Sequence, residues 1–245
     1  MYRGKRLFQY IIWGGTALII LLMVILIWLA RPLKEESGVK NNSRAEYLIA
    51  HAGGGLDGKT YTNSKKALIT SLERGFRYIE LDLFQLHNGQ VVCAHDSSKC
   101  QLDSIMTLSD AIKIWNRMPF FFVTDRISAP SILNRYFIKN RNNIYVETGS
   151  MVEYCQLHDN GYNPMLTVAG DFRGVIKTLL ASLYCGKMIK RVVTHYSAHD
   201  YILRIYKRLG FKTAVYTVND ESYLEKHIGR DIDMVYTDFL IPDIH

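Results

Sequence analysis

The residues with the most evident chemistry are Glu80-Leu81-Asp82, inside a strand-like run at residues 77–84. Side chains at i and i+2 of a strand point to the same face, so both carboxylates enter one space. Two anions side by side in a low dielectric repel, and they lose charge unless a cation joins them. A hard divalent cation with oxygen ligands, Ca²⁺ or Mg²⁺, satisfies both. Asp125 closes the next strand-like run, 119–125, and offers a third carboxylate. Alone, such a pair more often reads as two strand-end acids bonded to water or to basic neighbours. His51 and His95, each ending a strand-like run, change that balance. Two imidazoles suit a general base and a general acid at neutral pH.

The elements that must position these groups alternate along the chain. Strand-like runs occur at 46–51, 77–84, 119–125, 143–148, 164–169, 191–196, 212–218 and 233–238. Stretches of helical period lie between them, at 64–74, 109–118, 130–141, 150–159, 172–185, 198–209 and 221–228. Asn63 or Ser64 is placed to cap the first, and Gly75 and Gly210 are stop signals. Eight strands with intervening helices predict a parallel sheet with right-handed crossovers. An α/β architecture, the (β/α)₈ TIM-type barrel, fits that count, with a doubly wound open sheet as the alternative. The run 90–95 after Asn88-Gly89 reads as a hairpin added to the second strand.

In a barrel the active site lies at the C-terminal strand ends. Those ends carry His51 with Gly53-Gly54-Gly55, then Glu80 and Asp82, Asp125-Arg126, Glu147, His195-Tyr196, Tyr216 to Asn219, and Thr237-Asp238. His95-Asp96 ends the hairpin. His195 and Tyr216 are candidate substrate contacts, although a hydrogen-bonded structural histidine and a rim aromatic account for them as well. His87, His158, His199, His227 and His245 read as loop or surface residues.

The composition, 48% hydrophobic and 22% charged, is globular and excludes disordered and collagenous classes. Leu7 to Ala30 is 24 residues without a charge. As a helix it measures about 36 Å, enough to cross a bilayer core with some tilt. It is longer than a signal-peptide core, and Trp28 stands where cleavage needs a small side chain. The expected organisation is a basic cytoplasmic N-terminus (1–6), a transmembrane helix (7–30), a polar linker (31–45) and one catalytic barrel (46–245). Arg3, Lys5 and Arg6 favour an N-terminus inside and a domain outside the cytoplasm, although Arg31 and Lys34 flank the far end closely. Of the formal charge of +7, residues 1–45 carry +5. The basic character therefore belongs mostly to the membrane flanks, and nucleic-acid binding is set aside. The four cysteines show no zinc spacing. Cys93 and Cys100 are the nearest pair for a disulfide, while Cys93 in its strand-like run reads equally as a small buried hydrophobe.

Taken together, His51-Ala-Gly, Asn63-Ser64, Glu80-x-Asp82, Asn88-Gly89 and His95-Asp96 resemble the glycerophosphodiester phosphodiesterases, a family of phospholipase-C-like barrel enzymes. Val215-Tyr-Thr-Val-Asn219 and Val235-Tyr-Thr-Asp238 are similar to its seventh- and eighth-strand signatures, so the resemblance spans most of 46–240. It implies a (β/α)₈ barrel in which His51 and His95 form the acid–base pair. Glu80, Asp82 and Asp125 would hold a divalent metal, and a phosphodiester would be cleaved to an alcohol and a phosphomonoester. The sequence departs from the family at two cations. Ala52 stands where an arginine is usual, and Asp125-Arg126-Ile127 replaces Glu-x-Lys. Arg126, Lys59 or Arg173 would have to substitute as the phosphate contact. The expected partners are a phosphodiester small molecule, or a lipid- or envelope-derived one, and the bilayer through 7–30. A barrel that binds a phosphate-bearing lipid or glycan without cleaving it is the alternative.

Overall fold

The computed structural model describes residues 43–98 and 105–242, with separate short stretches between residues 13 and 33. The expected membrane span, 7–30, lies in large part outside the described residues, as do Cys100 and His245. The described residues within that span are helical, and among the described residues no helix is long and apolar enough to cross a membrane.

Among the described residues nine strands follow one another: β1 (Leu48–Ala50), β2 (Tyr78–Gln85), β3 (Val91–Cys93), β4 (Phe121–Asp125), β5 (Ile144–Thr148), β6 (Asn163–Thr167), β7 (Arg191–His195), β8 (Lys212–Tyr216) and β9 (Met234–Thr237). All but β3 are parallel neighbours, and β1 pairs with both β2 and β9. The sheet therefore closes into an eight-stranded barrel, and the open-sheet alternative is excluded. β3 is the expected hairpin, antiparallel to β2 with Cys93 opposite Leu83.

Seven helices cover the barrel: α1 (Lys65–Glu73), α2 (Leu108–Arg117), α3 (Pro130–Tyr136), α4 (Met151–Asp159), α5 (Phe172–Tyr184), α6 (Asp200–Arg208) and α7 (Glu221–His227). Their starts follow capping chemistry. Ser64, Thr107 and Ser150 each accept a backbone N–H from three residues on, satisfying donors that the helix itself leaves open. Of the two candidate caps for α1, Ser64 takes the role, and the Asn63 side chain is free for another. α3 stops at Tyr136, five residues short of expectation, because Asn140 turns left-handed (φ 56°) and a 3₁₀ turn leads into β5.

The barrel interior is apolar in its lower part. Tyr78 stacks on Phe121 at 4.6 Å and meets Tyr145 edge-on, and Ile49, Val123, Met165, Val193, Ala214 and Tyr236 pack above them. The alternation that buries these side chains also delivers Glu80, Asp82 and Asp125 to the same interior at its upper end.

Two cysteine and histidine expectations are corrected. Cys93 is buried and free, as the hydrophobe reading holds, and the disulfide joins Cys155 on α4 to Cys185 at the end of α5, with Cα atoms 5.5 Å apart. The pairing is invisible in spacing because two packed helices create it. His227 is buried, not on the surface, since its Nδ1 meets Asp231 Oδ2 at 3.1 Å under α7. Closing a loop of sequence separation 30 restricts the unfolded chain. Replacing both bridging cysteines by serine is expected to lower stability by about 2–4 kcal/mol, measured by urea denaturation.

Candidate active site

Strand register builds the site. β2 and β4 are aligned with Glu80 beside Val123 and Asp82 beside Asp125, so both carboxyls of Glu-x-Asp and that of Asp125 converge at one level. One carboxylate oxygen from each of the three lies within 4.8 Å of the others. Glu80 and Asp82 are almost fully buried. Glu80 Oε2 accepts the Ala52 N–H at 2.6 Å. Asp82 is held by Asn63 in a reciprocal clasp: Asn63 Nδ2 donates to Asp82 Oδ2 at 2.7 Å, and the Asp82 N–H donates to Asn63 Oδ1 at 2.9 Å. Asp125 Oδ1 is buried with no hydrogen-bond partner.

This arrangement fits a hard divalent cation. Burial first, then the charges of Asp82 and Asp125, push the Glu80 carboxyl well above its usual range. Burial, followed by Asp82 and Glu147, lifts Asp125 to about 9. Three acids that cannot all ionise together, one with an orphaned oxygen, form a ready donor set for Ca²⁺ or Mg²⁺.

The histidines stand across the same cavity, a space of about 530 Å³ in the barrel mouth. His51 follows β1, and its Nδ1 meets Asp238 Oδ1 at 2.9 Å. Asn219 holds that aspartate in turn, its Nδ2 donating to Oδ2 at 3.0 Å and its Oδ1 accepting the Asp238 N–H at 2.8 Å. The loop after His51 is tied to the same corner, because the Gly55 N–H donates to the Asp238 carbonyl at 2.7 Å. A Cβ on Gly55 would lie 2.5 Å from that oxygen, so only glycine approaches this closely. His95 stands beyond the hairpin, and Tyr61 packs edge-on against both imidazoles, 4.7 Å from His51 and 5.0 Å from His95.

The two cation departures have a structural answer. Ala52 is fully buried and Ile127 belongs to the packed core, so neither position presents a side chain to the cavity. Arg126 does. Its backbone is left-handed (φ 61°), and the side chain turns back over the mouth. Its Nε donates to Asp82 Oδ1 at 3.1 Å, and its terminal nitrogen is hydrogen-bonded to His95 Nε2. Of the other two substitutes considered, Lys59 is exposed on its loop and Arg173 is exposed and bound to Asp171.

Tyr216 lines the cavity. His195 does not; it is exposed on the rim, beside Tyr196 at 4.5 Å and Tyr216 at 5.6 Å, with Nδ1 against Ser197 Oγ at 2.7 Å. Sequence alone gives no role to Glu147, Asp238 and Asn63. Glu147, next to the end of β5, lines the cavity and is bonded to the Tyr236 hydroxyl and to Thr167. Burial lifts its carboxyl to about 7, against the opposing pull of the Tyr236 hydrogen bond and of His51. Asp238 and Glu147 occupied strand-end positions and were readable by that rule. Asn63 is signalled only as half of the Asn63-Ser64 motif, which gives no hint of its contact with Asp82.

Asn63 itself sits at φ 47°, which costs asparagine less than it costs alanine. Asn63→Ala is expected to destabilise the protein by about 2–4 kcal/mol, from lost buried hydrogen bonds and backbone strain. Asn63→Gly, which removes only the hydrogen bonds, should cost about 1 kcal/mol less. Urea denaturation of the pair separates the two contributions.

No protein-family model and no curated protein matches the chain. Solved structures do match. A glycerophosphodiester phosphodiesterase from Thermotoga maritima aligns with TM-score 0.58 and 18% identity, over 78% of this chain and 94% of that one. A phosphodiesterase from Oleispira antarctica, in complex with the product sn-glycerol-3-phosphate, aligns with TM-score 0.63 and 17% identity, over 78% and 92%. A glycerophosphodiester phosphodiesterase from Parabacteroides distasonis gives TM-score 0.59 and 18% identity, over 78% and 92%. At these identities the likeness establishes the fold: this chain forms the parallel eight-stranded barrel seen in glycerophosphodiester phosphodiesterases of known structure.

Proposed function

We propose that the protein is a metal-dependent phosphodiesterase that hydrolyses a phosphodiester to an alcohol and a phosphomonoester. The observation that carries this reading is one mouth cavity faced by two imidazoles, a three-carboxylate cradle and one guanidinium. The fold shared with phosphodiesterases, one of them holding a phosphomonoester product, supports it.

Glu80, Asp82 and Asp125 would hold the divalent ion, which when bound neutralises charge on the phosphoryl oxygens. Every other role falls to the chain. Arg126 meets the phosphate with a charge-assisted contact, standing in for the cations absent at positions 52 and 127. His51, with Asp238 behind its Nδ1 to steady the protonated ring, takes the proton from the attacking water as the new P–O bond forms. His95 gives a proton to the leaving alkoxide as the old P–O bond breaks. Tyr61 keeps the two rings apart and orients both. Tyr216 lies where the alcohol portion of the substrate would rest, with His195 above it on the rim.

We place the barrel outside the cytoplasm, tethered by residues 7–30. The uncharged run and its basic flanks support the tether, and the Cys155–Cys185 disulfide supports an oxidising compartment. Glycerophosphodiesters and lipid- or envelope-derived phosphodiesters are the candidate substrates.

The test is hydrolysis by the full chain of glycerophosphodiesters and an aryl phosphodiester, with Ca²⁺, with Mg²⁺ and with EDTA. Metal-dependent release of a phosphomonoester is expected. Buried Ala52 and Ile127 favour the second reading, a barrel that binds a phosphate-bearing ligand without cleaving it. Metal binding and phosphate binding with no product over long incubation would decide for that one.

A further inference from the structure

The end of the barrel opposite the mouth carries a separate arrangement of charge. Strands begin there and helices end there, and the starting residues are basic: Lys190 and Arg191 at β7, Lys212 at β8, and Lys139 and Arg141 before β5. Several carboxylates on this floor are already paired, while Glu73 at the end of α1 is exposed. Asp233 Oδ1 meets Lys207 Nζ at 2.9 Å and Lys212 Nζ at 3.0 Å, Asp159 meets Lys187 at 2.6 Å, and Glu46 is bound to Arg77. Among the described residues no carboxylate forms an ion pair with Lys139, Arg141, Lys190 or Arg191. Arg141 donates instead to backbone carbonyls, and Arg191 lies over the Tyr145 ring at 5.0 Å. The floor thus keeps a positive excess, whereas the mouth collects Glu80, Asp82, Asp125, Glu147 and Asp238 around a single Arg126.

A cavity of about 320 Å³ opens in this floor, walled by Tyr78 and Tyr145, by Arg191, Lys207 and Lys212, and by the Asp233 carboxylate that the two lysines share. Glu46 and Tyr47, on the segment that leads into β1, also line it. The chain preceding the barrel therefore arrives at the floor. The polar linker at 31–45 spans at most about 50 Å when fully extended, which keeps the floor within reach of whatever surface accepts the uncharged run before it.

We infer that the floor rests on an anionic phospholipid surface, with a lipid phosphate entering the cavity between Arg191, Lys207 and Lys212. Basic side chains near a membrane gain from the negative surface potential within a Debye length. A basic floor set on that surface turns the mouth away from it. This inference concerns a surface apart from the phosphodiesterase reading and stands if that reading fails.

Lysine footprinting tests it on the unmodified full chain, reconstituted in vesicles of phosphatidylcholine alone or with about one third phosphatidylglycerol. An amine-reactive reagent and mass spectrometry report each lysine. Labelling of Lys139, Lys190 and Lys212 is expected to fall about fivefold or more in the anionic vesicles and to recover in molar salt. Lys59, Lys65 and Lys66, exposed around the mouth, should be unaffected. Equal labelling of the floor lysines in both vesicle types overturns the inference, as does protection of the mouth lysines. Inorganic phosphate and a duplex RNA serve as parallel probes. Protection of Lys212 by phosphate but not by anionic vesicles would make the cavity a site for a free anion. Protection by RNA but not by vesicles would assign the face to nucleic acid. In the triple variant Lys139→Glu, Lys190→Glu, Arg191→Glu, hydrolysis of a soluble phosphodiester should persist while the lipid-dependent protection of Lys212 is lost. Retained protection there would also refute the docking.

Discussion

Replacing His51 by alanine is expected to lower phosphodiester turnover by about 10²- to 10⁴-fold, the range that a positioned acid–base group supplies. The fold should survive the change. Asp238 keeps its hydrogen bonds from Asn219, and Tyr61 keeps its place against His95, so no buried carboxylate is stranded. Steady-state hydrolysis alongside a thermal melt makes the measurement, with a nearly unchanged melting temperature marking the loss as chemical. Asp238→Asn should give a smaller loss, concentrated in kcat, because it steadies and orients the ring without touching substrate. Full activity in His51→Ala, beside an active wild type, would remove this residue from the acid–base pair.

The second large effect is a metal response that grows with pH. In the metal-free protein Glu80 is held well above its ordinary value and Asp125 at about 9, by burial first and then by the charge of Asp82 beside both. A carboxyl whose folded pKa is raised stabilises the fold below its unfolded value, about 4, and that contribution is lost as pH rises through the folded value. The metal-free protein should therefore become less stable between roughly pH 4 and pH 9 on account of these two groups. A divalent ion binds the ionised forms, so its stabilisation should be small near pH 5 and large near pH 9, with protons released on binding. At one hundred times the dissociation constant the gain is about 2.7 kcal/mol, a rise in melting temperature of roughly 5–10 °C. Melts with EDTA, Ca²⁺ and Mg²⁺ at several pH values test this. In the double variant Glu80→Gln, Asp125→Asn, the metal-free protein should be the more stable one at pH 8, and the response to metal should vanish. A metal shift of equal size at pH 5 and pH 9 would contradict the shared-proton description of the cradle.

The barrel was legible because its strands are short, β-branched and regularly interrupted, and because a catalytic rim follows from strand direction. The cradle was legible because i and i+2 fix a common face for Glu80 and Asp82, leaving only the partner strand's register to bring in Asp125. Side chains that reach the site from loops were harder. Asn63 looks like a helix cap until Ser64 takes that role, and only then is its amide seen to hold Asp82. The one-residue displacement of the cation, from position 127 to Arg126, normally turns a side chain to the other face of a strand. A left-handed backbone at Arg126 brings it back, and nothing in the residue names announces such a turn. His195 stands off the cavity for the opposite reason: register sets it beside Tyr216, yet its ring lies on the rim. The disulfide and buried His227 depend on how helices pack, which pattern reading does not reach.

One feature of the site also sets an order of events during synthesis. The first barrel strand closes against the last, and His51 is oriented by Asp238, 187 residues later in the chain. Glu80, Asp82 and Asp125 stand on β2 and β4, made long before the final strand, whereas Glu147 still waits for the Tyr236 hydroxyl on β9. Until Thr237 and Asp238 emerge, the His51 ring lacks its partner, and the loop at Gly55 has no carbonyl to bind. A growing chain, or one cut short by a few residues, thus lacks the partner that orients His51. On the proposed reading, hydrolytic competence would arrive last, together with the seam that makes the cylinder whole.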